Sequence, residues 1–272
     1  MINYQNYVCP NCHGNLALNS ISFKCQNCKN SYPIDKTIPD FLLVNNQEKG
    51  EILRNRASQF DELSKIYGSS LWGGSPWVVV WLLTRKIRNR NWIGLDISCG
   101  AGQVTRPMAK KISYVHGVDI SMGMVQKAAE LSKKDSIDNI AFARCDVENL
   151  PFTDSSFDFV TCSGALHAYP DAEKALKEMW RVLKTNSILA IMALLEQKVP
   201  NIIDPAKREL KKSSTKDDAE KFNNASNSMK NVDAKLHRFT LEELKDLINK
   251  TGFNDFKYIK FGPVIIFNIK KL

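Results

Sequence analysis

From Trp92 onward, short apolar runs alternate with segments whose apolar residues recur every three or four positions. The first run, Trp92 to Leu95, ends in Asp96 and a turn of small residues, Ser98-Cys99-Gly100-Ala101-Gly102; Val104, Met108 and Ile112 then share one helical face. This order predicts a buried strand, a glycine turn and a helix. The unit repeats. Tyr114 to Ile120 predicts a second strand ending near Asp119, with a helix that opens at Ser121, a favourable N-cap, and carries Met124, Val125, Ala128 and Leu131. Ile140 to Arg144 predicts a third strand. Ser155 to Thr161 leads into a fourth, which ends between Cys162 and His167. A helix over about Pro170 to Leu183 and a strand over Ser187 to Leu195 complete the series.

The flanks read differently. Residues 45–50 suggest a linker, and Ile52, Ala57, Phe60, Leu63 and Tyr67 one face of a helix. Pro76 is suited to open another, which carries Trp77, Trp81 and Leu82 and ends in Arg85, Lys86, Arg88 and Arg90. Residues 196–236 are polar and lysine-rich, with Lys207, Arg208, Lys211 and Lys212 as the densest basic cluster. Thr240 and Glu243 make a capping box for a last helix ended by Gly252, and Phe256–Phe261 and Val264–Ile269 predict a hairpin around Gly262-Pro263. Five strand–helix alternations and a closing hairpin predict an α/β fold: a mostly parallel sheet with helices on both faces. A ligand then belongs at the carboxyl ends of the first and fourth strands.

At 272 residues the chain can hold one large domain and a small appendage. The N-terminus lacks a basic start and an apolar core, and the longest apolar run, Trp77 to Leu83, is too short to span a bilayer; a cytoplasmic protein without a membrane partner is expected. The net charge of +9 admits a nucleic-acid partner, or a composition rich in lysine for its own reasons.

Four of the seven cysteines form two pairs, Cys9-Pro-Asn-Cys12 and Cys25-Gln-Asn-Cys28. Each pair can present two thiolates to one tetrahedral zinc ion. A disulfide pairing is disfavoured in a reduced cytoplasm, and a redox role needs only one such pair. The residues between the pairs, Leu16, Leu18, Ile21 and Phe23, suggest a hairpin, and His13 is an alternative ligand that four thiols make unnecessary. A segment this short has little core of its own, so the metal supplies most of its folding energy.

The glycine turn cradles a ligand: glycine admits unusual backbone angles and close approach, and the following helix points free N–H groups at the turn. A dinucleotide fingerprint needs a third glycine where Thr105 stands, which counts against a dehydrogenase. Asp119, 17 residues beyond Gly102, can accept hydrogen bonds from both hydroxyls of a ribose. The phrase Asp96-x-Ser98-Cys99-Gly100-x-Gly102 resembles motif I of the class I methyltransferases, which use S-adenosylmethionine (SAM). Asp146-Val147-Glu148-Asn149-Leu150-Pro151-Phe152, the Phe157-Asp158 strand ending near His167, and the Phe60-Asp61…Tyr67 segment are similar to further motifs of that family in the same order. Thr185-Asn186-Ser187 stands where the family usually has Pro-Gly-Gly.

The resemblance implies a Rossmann-like methyltransferase domain over 50–272 behind a zinc ribbon over 1–44. It implies SAM contacts from Asp96, Ser98, Gly100 and Gly102 of the turn, and from Asp119, Ile120 and Met124 after the second strand. It further implies that Asp146 takes the adenine amino group, that the Val147 N–H takes a ring nitrogen, and that Ser163 and its loop line the methionine moiety, with Tyr67 reaching that end from a lid. In that family the segment corresponding to 196–236 covers the substrate. His167 is the candidate general base, with a pocket-lining histidine as the plainer reading. Nothing marks Cys162 as an activated nucleophile, and no Asn/Asp-Pro-Pro-Tyr follows strand four, which disfavours exocyclic adenine methylation. The ribbon is similar to those of bacterial 23S rRNA guanine-N1 methyltransferases, which carry three Cys and a His where this chain has four Cys. An RNA base is therefore the first expected acceptor, a small molecule the second, and SAM or RNA binding without turnover the third.

Overall fold

The computed structural model describes residues 6–42, 47–64, 77–196, 239–253 and 255–272. The expected lid and its basic cluster, and Tyr67, lie outside the described residues. Strands β1 (Leu16–Leu18), β2 (Ser22–Cys25), β3 (Ser31–Asp35) and β4 (Ile38–Pro39) make a small antiparallel sheet in that order. The first turn closes because the Asn19 carboxamide oxygen accepts the N–H groups of Ile21 and Ser22, an Asx turn. Helix α1 (Gln47–Ser64) begins inside the stretch expected to be a linker, and α2 (Trp77–Thr84) follows Pro76 as expected.

The large sheet is built from β5 (Ile93–Ile97), β6 (Tyr114–Asp119), β7 (Ile140–Arg144), β8 (Phe157–Ser163) and β9 (Leu183–Leu194) with the hairpin β10 (Asp255–Phe261) and β11 (Val264–Lys270). Among the described residues the order is β10-β11-β9-β8-β5-β6-β7; β5 to β9 run parallel and the hairpin is antiparallel. Helices α3 (Thr105–Ala109), α4 (Met122–Lys134), α5 (Ala172–Val182) and α6 (Leu241–Lys250) connect or flank these strands, and no helix among the described residues is long and apolar enough to cross a membrane. The strand order reverses between β5 and β8, where the carboxyl ends splay and leave a crevice.

Two local expectations hold in detail and one shifts. Ser121 caps α4 by accepting the Met124 N–H, and Thr240 and Glu243 form the full capping box on α6. Strand β9 begins at Leu183, four residues before the expected start. Asn186 does turn the backbone, with φ +64°, but as an irregularity within the strand: the pairing with β8 steps from Phe157–Leu183 to Phe159–Ile188.

The N-terminal ribbon shares the core of the large sheet. Tyr7, Phe23 and Phe41 join Leu95, Val118 and Phe152 in one apolar cluster. Tyr7 stacks on Phe152 with ring centroids 5.1 Å apart. The edge strand β7 is met by the ribbon's end: the Phe41 N–H donates to the Arg144 carbonyl at 2.8 Å, and Arg144 bonds the Asp40 carboxylate at 3.1 Å.

His116 lies in the middle of this packing, between Tyr7, Tyr114, Phe152 and Phe157 at centroid distances of 5.2–5.6 Å. Neither ring nitrogen has a hydrogen-bond partner among the described residues. Burial without an acceptor pushes its pKa down from 6.5 to about 3, so the folded ring is neutral. Between those values the unfolded chain binds the extra proton, so stability is fully present above pH 6.5 and drains away as pH falls toward 3. The expected slope from this one residue is about 1.4 kcal/mol per pH unit. Urea unfolding at several acidic pH values should show that slope in the parent protein and lose it in His116→Phe; an unchanged acid limb would refute the assignment.

Candidate active site

The crevice is lined first by the turn after β5. Ser98 stands in the left-handed region at φ +53°, held by a hydrogen bond of 2.8 Å between its hydroxyl and that of Tyr169. The Tyr169 hydroxyl also lies 3.2 Å from the Cys162 sulfur at the end of β8. Gly100 has φ +50°, and a Cβ placed there would meet nothing within 4 Å, so the backbone faces open space. This is the bare surface a ligand can approach closely.

Beside it stands Asp119. One carboxylate oxygen accepts the Gly100 N–H at 2.9 Å and the other the Ser121 N–H at 3.0 Å. Burial raises its pKa, and those backbone hydrogen bonds oppose the rise. Asp96 lies deeper, 1% exposed, accepting the Thr105 hydroxyl at 2.6 Å and the Thr161 hydroxyl at 3.0 Å. Burial pushes its pKa up to about 6. Thr105 therefore has a task where a dinucleotide site has its third glycine: its hydroxyl ties the Asp96 carboxylate to the start of α3.

Helix α1 crosses above these groups. Asp61 accepts the Ser121 hydroxyl at 2.5 Å and the Gly123 N–H at 2.8 Å, so a carboxylate sits at the positive end of α4. A Cβ on Gly123 would come within 2.6 Å of the Ser64 hydroxyl oxygen, so the close crossing depends on glycine. One turn earlier, the Arg56 guanidinium donates to the Ala168 carbonyl, beyond β8. The helix thus bridges the two sides of the crevice.

After β7, Asp146 caps a single 3₁₀ turn, Val147–Asn149, accepting the Glu148 N–H and the Asn149 side-chain amide at 3.0 Å each. The next residues are pinned by α5: Glu178 accepts the Leu150 N–H at 2.8 Å, and Arg181 donates to the Leu150 and Phe152 carbonyls at 3.0 and 2.6 Å. The ribbon holds the same loop from the other side, through the Val8 N–H and the Pro151 carbonyl at 3.0 Å. At the end of β8 the Ser163 hydroxyl is buried without a partner among the described residues. His167 lies half-buried in a second 3₁₀ turn, Leu166–Ala168.

In the ribbon, the sulfurs of Cys9, Cys12, Cys25 and Cys28 lie within 4.8 Å of one another, with Cys9–Cys28 and Cys12–Cys25 both at 3.5 Å. His13 and Lys29, each just after the second cysteine of its pair, have left-handed backbones, so the two knuckles turn alike. His13 itself is exposed and no part of the cluster. Four converging sulfurs with the Tyr32 hydroxyl 3.0 Å from Cys9 suit a tetrahedral soft-metal site.

Residues 95–191 match the family profile described as a methyltransferase domain. The chain carries a methyltransferase domain. It is 38% identical over 90 residues to the uncharacterized methyltransferase YcgJ of Bacillus subtilis, covering 33% of this chain and 36% of that protein. It is 30% identical over 165 residues to a demethylmenaquinone methyltransferase of Staphylococcus epidermidis, covering 58% and 66%. In fold it is similar to a SAM-dependent methyltransferase from Aquifex aeolicus, with a TM-score of 0.52 at 17% identity over 70% of this chain and 88% of that one. The architecture is thus the Rossmann-like methyltransferase fold. The chain spans between about a third and two thirds of the length of these curated relatives.

Within this methyltransferase domain, Ser98, Gly100, Gly102, Asp119 and Ile120 gather at the ends of β5 and β6, with Asp146 and Val147 at the end of β7 and Ser163 at the end of β8. Asp96 and Met124 are brought nearby and are buried, and the Asp96 carboxylate is engaged by the Thr105 and Thr161 hydroxyls. Cys162 is fully buried, and burial pushes its thiol up to about 12, which makes it inert as a nucleophile near neutrality. Asp61, Arg144, Tyr169, Glu178 and Arg181 escaped the sequence reading. Only Asp61, within the Phe60-Asp61 phrase, carried a signal; the others act through partners distant in the chain.

The Tyr169–Ser98 contact is testable by a double-mutant cycle. Tyr169→Phe should cost about 1 kcal/mol of stability. Ser98→Gly should cost less in the Tyr169→Phe background than alone, because glycine accepts the left-handed angle without the hydrogen bond. Equal costs in both backgrounds, measured by urea unfolding, would mean that the hydroxyls are not coupled.

Proposed function

We propose that this chain transfers the methyl group of SAM to a nucleophilic atom of a small molecule. The observation that carries the reading is the pairing of open backbone at Gly100 with the Asp119 carboxylate beside it, at the carboxyl ends of β5 and β6. In this reading Asp119 accepts the ribose hydroxyls, and Asp146 and the Val147 N–H meet the adenine. The Ser163 hydroxyl, without a partner among the described residues, meets the methionine end in this reading. SAM supplies an electrophilic methyl on a positively charged sulfur; the chain's part is to position it, exclude water and surround it with Asp61 and Asp119. His167, in the turn after β8, lines the pocket in this reading and is the candidate to take a proton where the acceptor must lose one.

A small molecule displaces the RNA base as first acceptor for two reasons. The relative from Staphylococcus epidermidis is named for demethylmenaquinone, a small molecule. The basic cluster of Arg85, Arg88 and Arg90 precedes β5, at the amino ends of the strands and away from the crevice. We further propose that Cys9, Cys12, Cys25 and Cys28 hold a structural zinc ion whose ribbon braces the adenine loop through Val8, Tyr7 and Asp40.

Radiolabelled SAM should deliver label to a small-molecule extract and leave RNA from the same cells unlabelled; label released only by ribonuclease would reverse that preference. Calorimetry should show Asp119→Ala binding SAM more weakly by about 1–3 kcal/mol, the cost of removing a charged acceptor. Unchanged affinity would remove Asp119 from the ribose. Elemental analysis should find one zinc per chain, and Cys25→Ser should lower both metal content and melting temperature; a metal-free protein of undiminished stability would refute the structural zinc.

A further inference from the structure

We propose that the outer face of α2 and the basic groove at its foot dock this protein on an anionic lipid bilayer. Helix α2 buries Val79, Leu82 and Leu83 against the sheet. Its other side presents Trp77 at 81% exposure, Val78 at 37% and Trp81 at 51%. Two indoles left exposed on one short helix form an apolar face that the fold does not use among the described residues. The chain that continues from α2 supplies Arg85, Lys86, Arg88 and Arg90, and the end of α3 adds Lys110 and Lys111. With Trp81 and Thr84 these cations line a groove of about 600 Å³, and none of its lining residues is acidic.

The groove is built to meet phosphate. Six like charges around one concavity repel one another, so an anion seated among them relieves a cost the protein otherwise carries. Arg85 sits over the Trp81 ring at 5.7 Å, and its buried Nε–H has no acceptor among the described residues. Lys111 is committed to Thr84, bonding its hydroxyl at 2.8 Å and its carbonyl at 3.4 Å, and so contributes charge rather than a free donor. Trp77, Trp81 and Arg85 follow one another at intervals of four residues, so the indoles and the cations form one continuous stripe.

The combination selects a lipid surface over a nucleic acid. Both offer phosphates, but only a bilayer offers hydrocarbon beneath them. Val78 is exposed beside the indoles on the same helix, which suits insertion at the headgroup boundary; bases stack on ring faces set along a positively charged groove. The segment Trp77 to Leu83 is too short to cross a bilayer, yet an interfacial helix lies in the plane and has no such length requirement. The shortness of that run bears on spanning alone, and the proposal departs from the expectation of no membrane partner.

The test uses the full-length protein and two vesicle preparations, phosphatidylcholine alone and an equimolar mixture with phosphatidylglycerol. Sedimentation should carry the protein down with the mixed vesicles and leave it in solution with the neutral ones. Arg88→Ala and Arg90→Ala, both at exposed positions, should each lower the partition coefficient about fivefold, the factor for one basic residue at an anionic surface. Trp77→Ser with Trp81→Ser should weaken binding to the mixed vesicles and abolish the blue shift of tryptophan emission on their addition. Melting temperatures and SAM affinity should match the parent in all variants. Equal sedimentation with both vesicle types, or retention of binding by the arginine variants, would overturn the proposal. So would capture of a single-stranded RNA by a protein that ignores both vesicles.

Discussion

Two backbone N–H groups converge on the carboxylate of Asp119, and the geometry of the crevice follows from that convergence. A buried carboxylate without donors is costly, so the turn after β5 and the start of α4 are both drawn to it. Once Gly100 and Ser121 face inward, the turn must pass through left-handed angles, and its outer backbone is left bare. Asp61 extends the same logic by a layer, capping α4 from α1 and so binding the helix above the crevice to the floor below.

The four-cysteine cluster belongs to this scaffold. From Asp40 the path runs to Arg144, whose guanidinium also donates to the Ile120 carbonyl at 2.8 Å, next to Asp119. From Val8 and Tyr7 it runs to Pro151 and Phe152, on the loop that α5 grips through Glu178 and Arg181. The loop at the end of β7 is thus fixed from three sides, and loosening the ribbon loosens two of them.

Charge is segregated along the strands. Asp61, Asp96, Asp119, Asp146 and Glu148 collect at the carboxyl ends, while Arg85, Arg88, Arg90, Lys110 and Lys111 collect at the amino ends. A chain of net charge +9 therefore presents acidic groups where a sulfonium would sit and cations at the opposite pole. The overall charge by itself would suggest the reverse.

The strand and helix order was legible in the sequence because it depends on local rules: apolar period, Ser121 and Thr240 as caps, glycine in the turn after β5. The cysteine pairs were legible for the same reason, since a knuckle is a local structure. What the tertiary structure alone decided is which groups those elements bring together. Asp96 was legible as the end of its strand, but the hydroxyl that reaches its carboxylate from β8, that of Thr161, was not. Tyr169, Glu178 and Arg181 read as ordinary residues of a loop and a helix until β8 and α5 are packed beside the turns they hold. Helix α1 was legible from its apolar spacing, but the face it buries was not: Ala57 is buried as expected, Ile52 is exposed and Leu53 is buried instead, and the contacts of Asp61 and Arg56 are tertiary. Local sequence specifies elements through short-range sterics and hydrogen bonds; partners far apart in the chain are chosen by the packing of those elements, which no single stretch encodes.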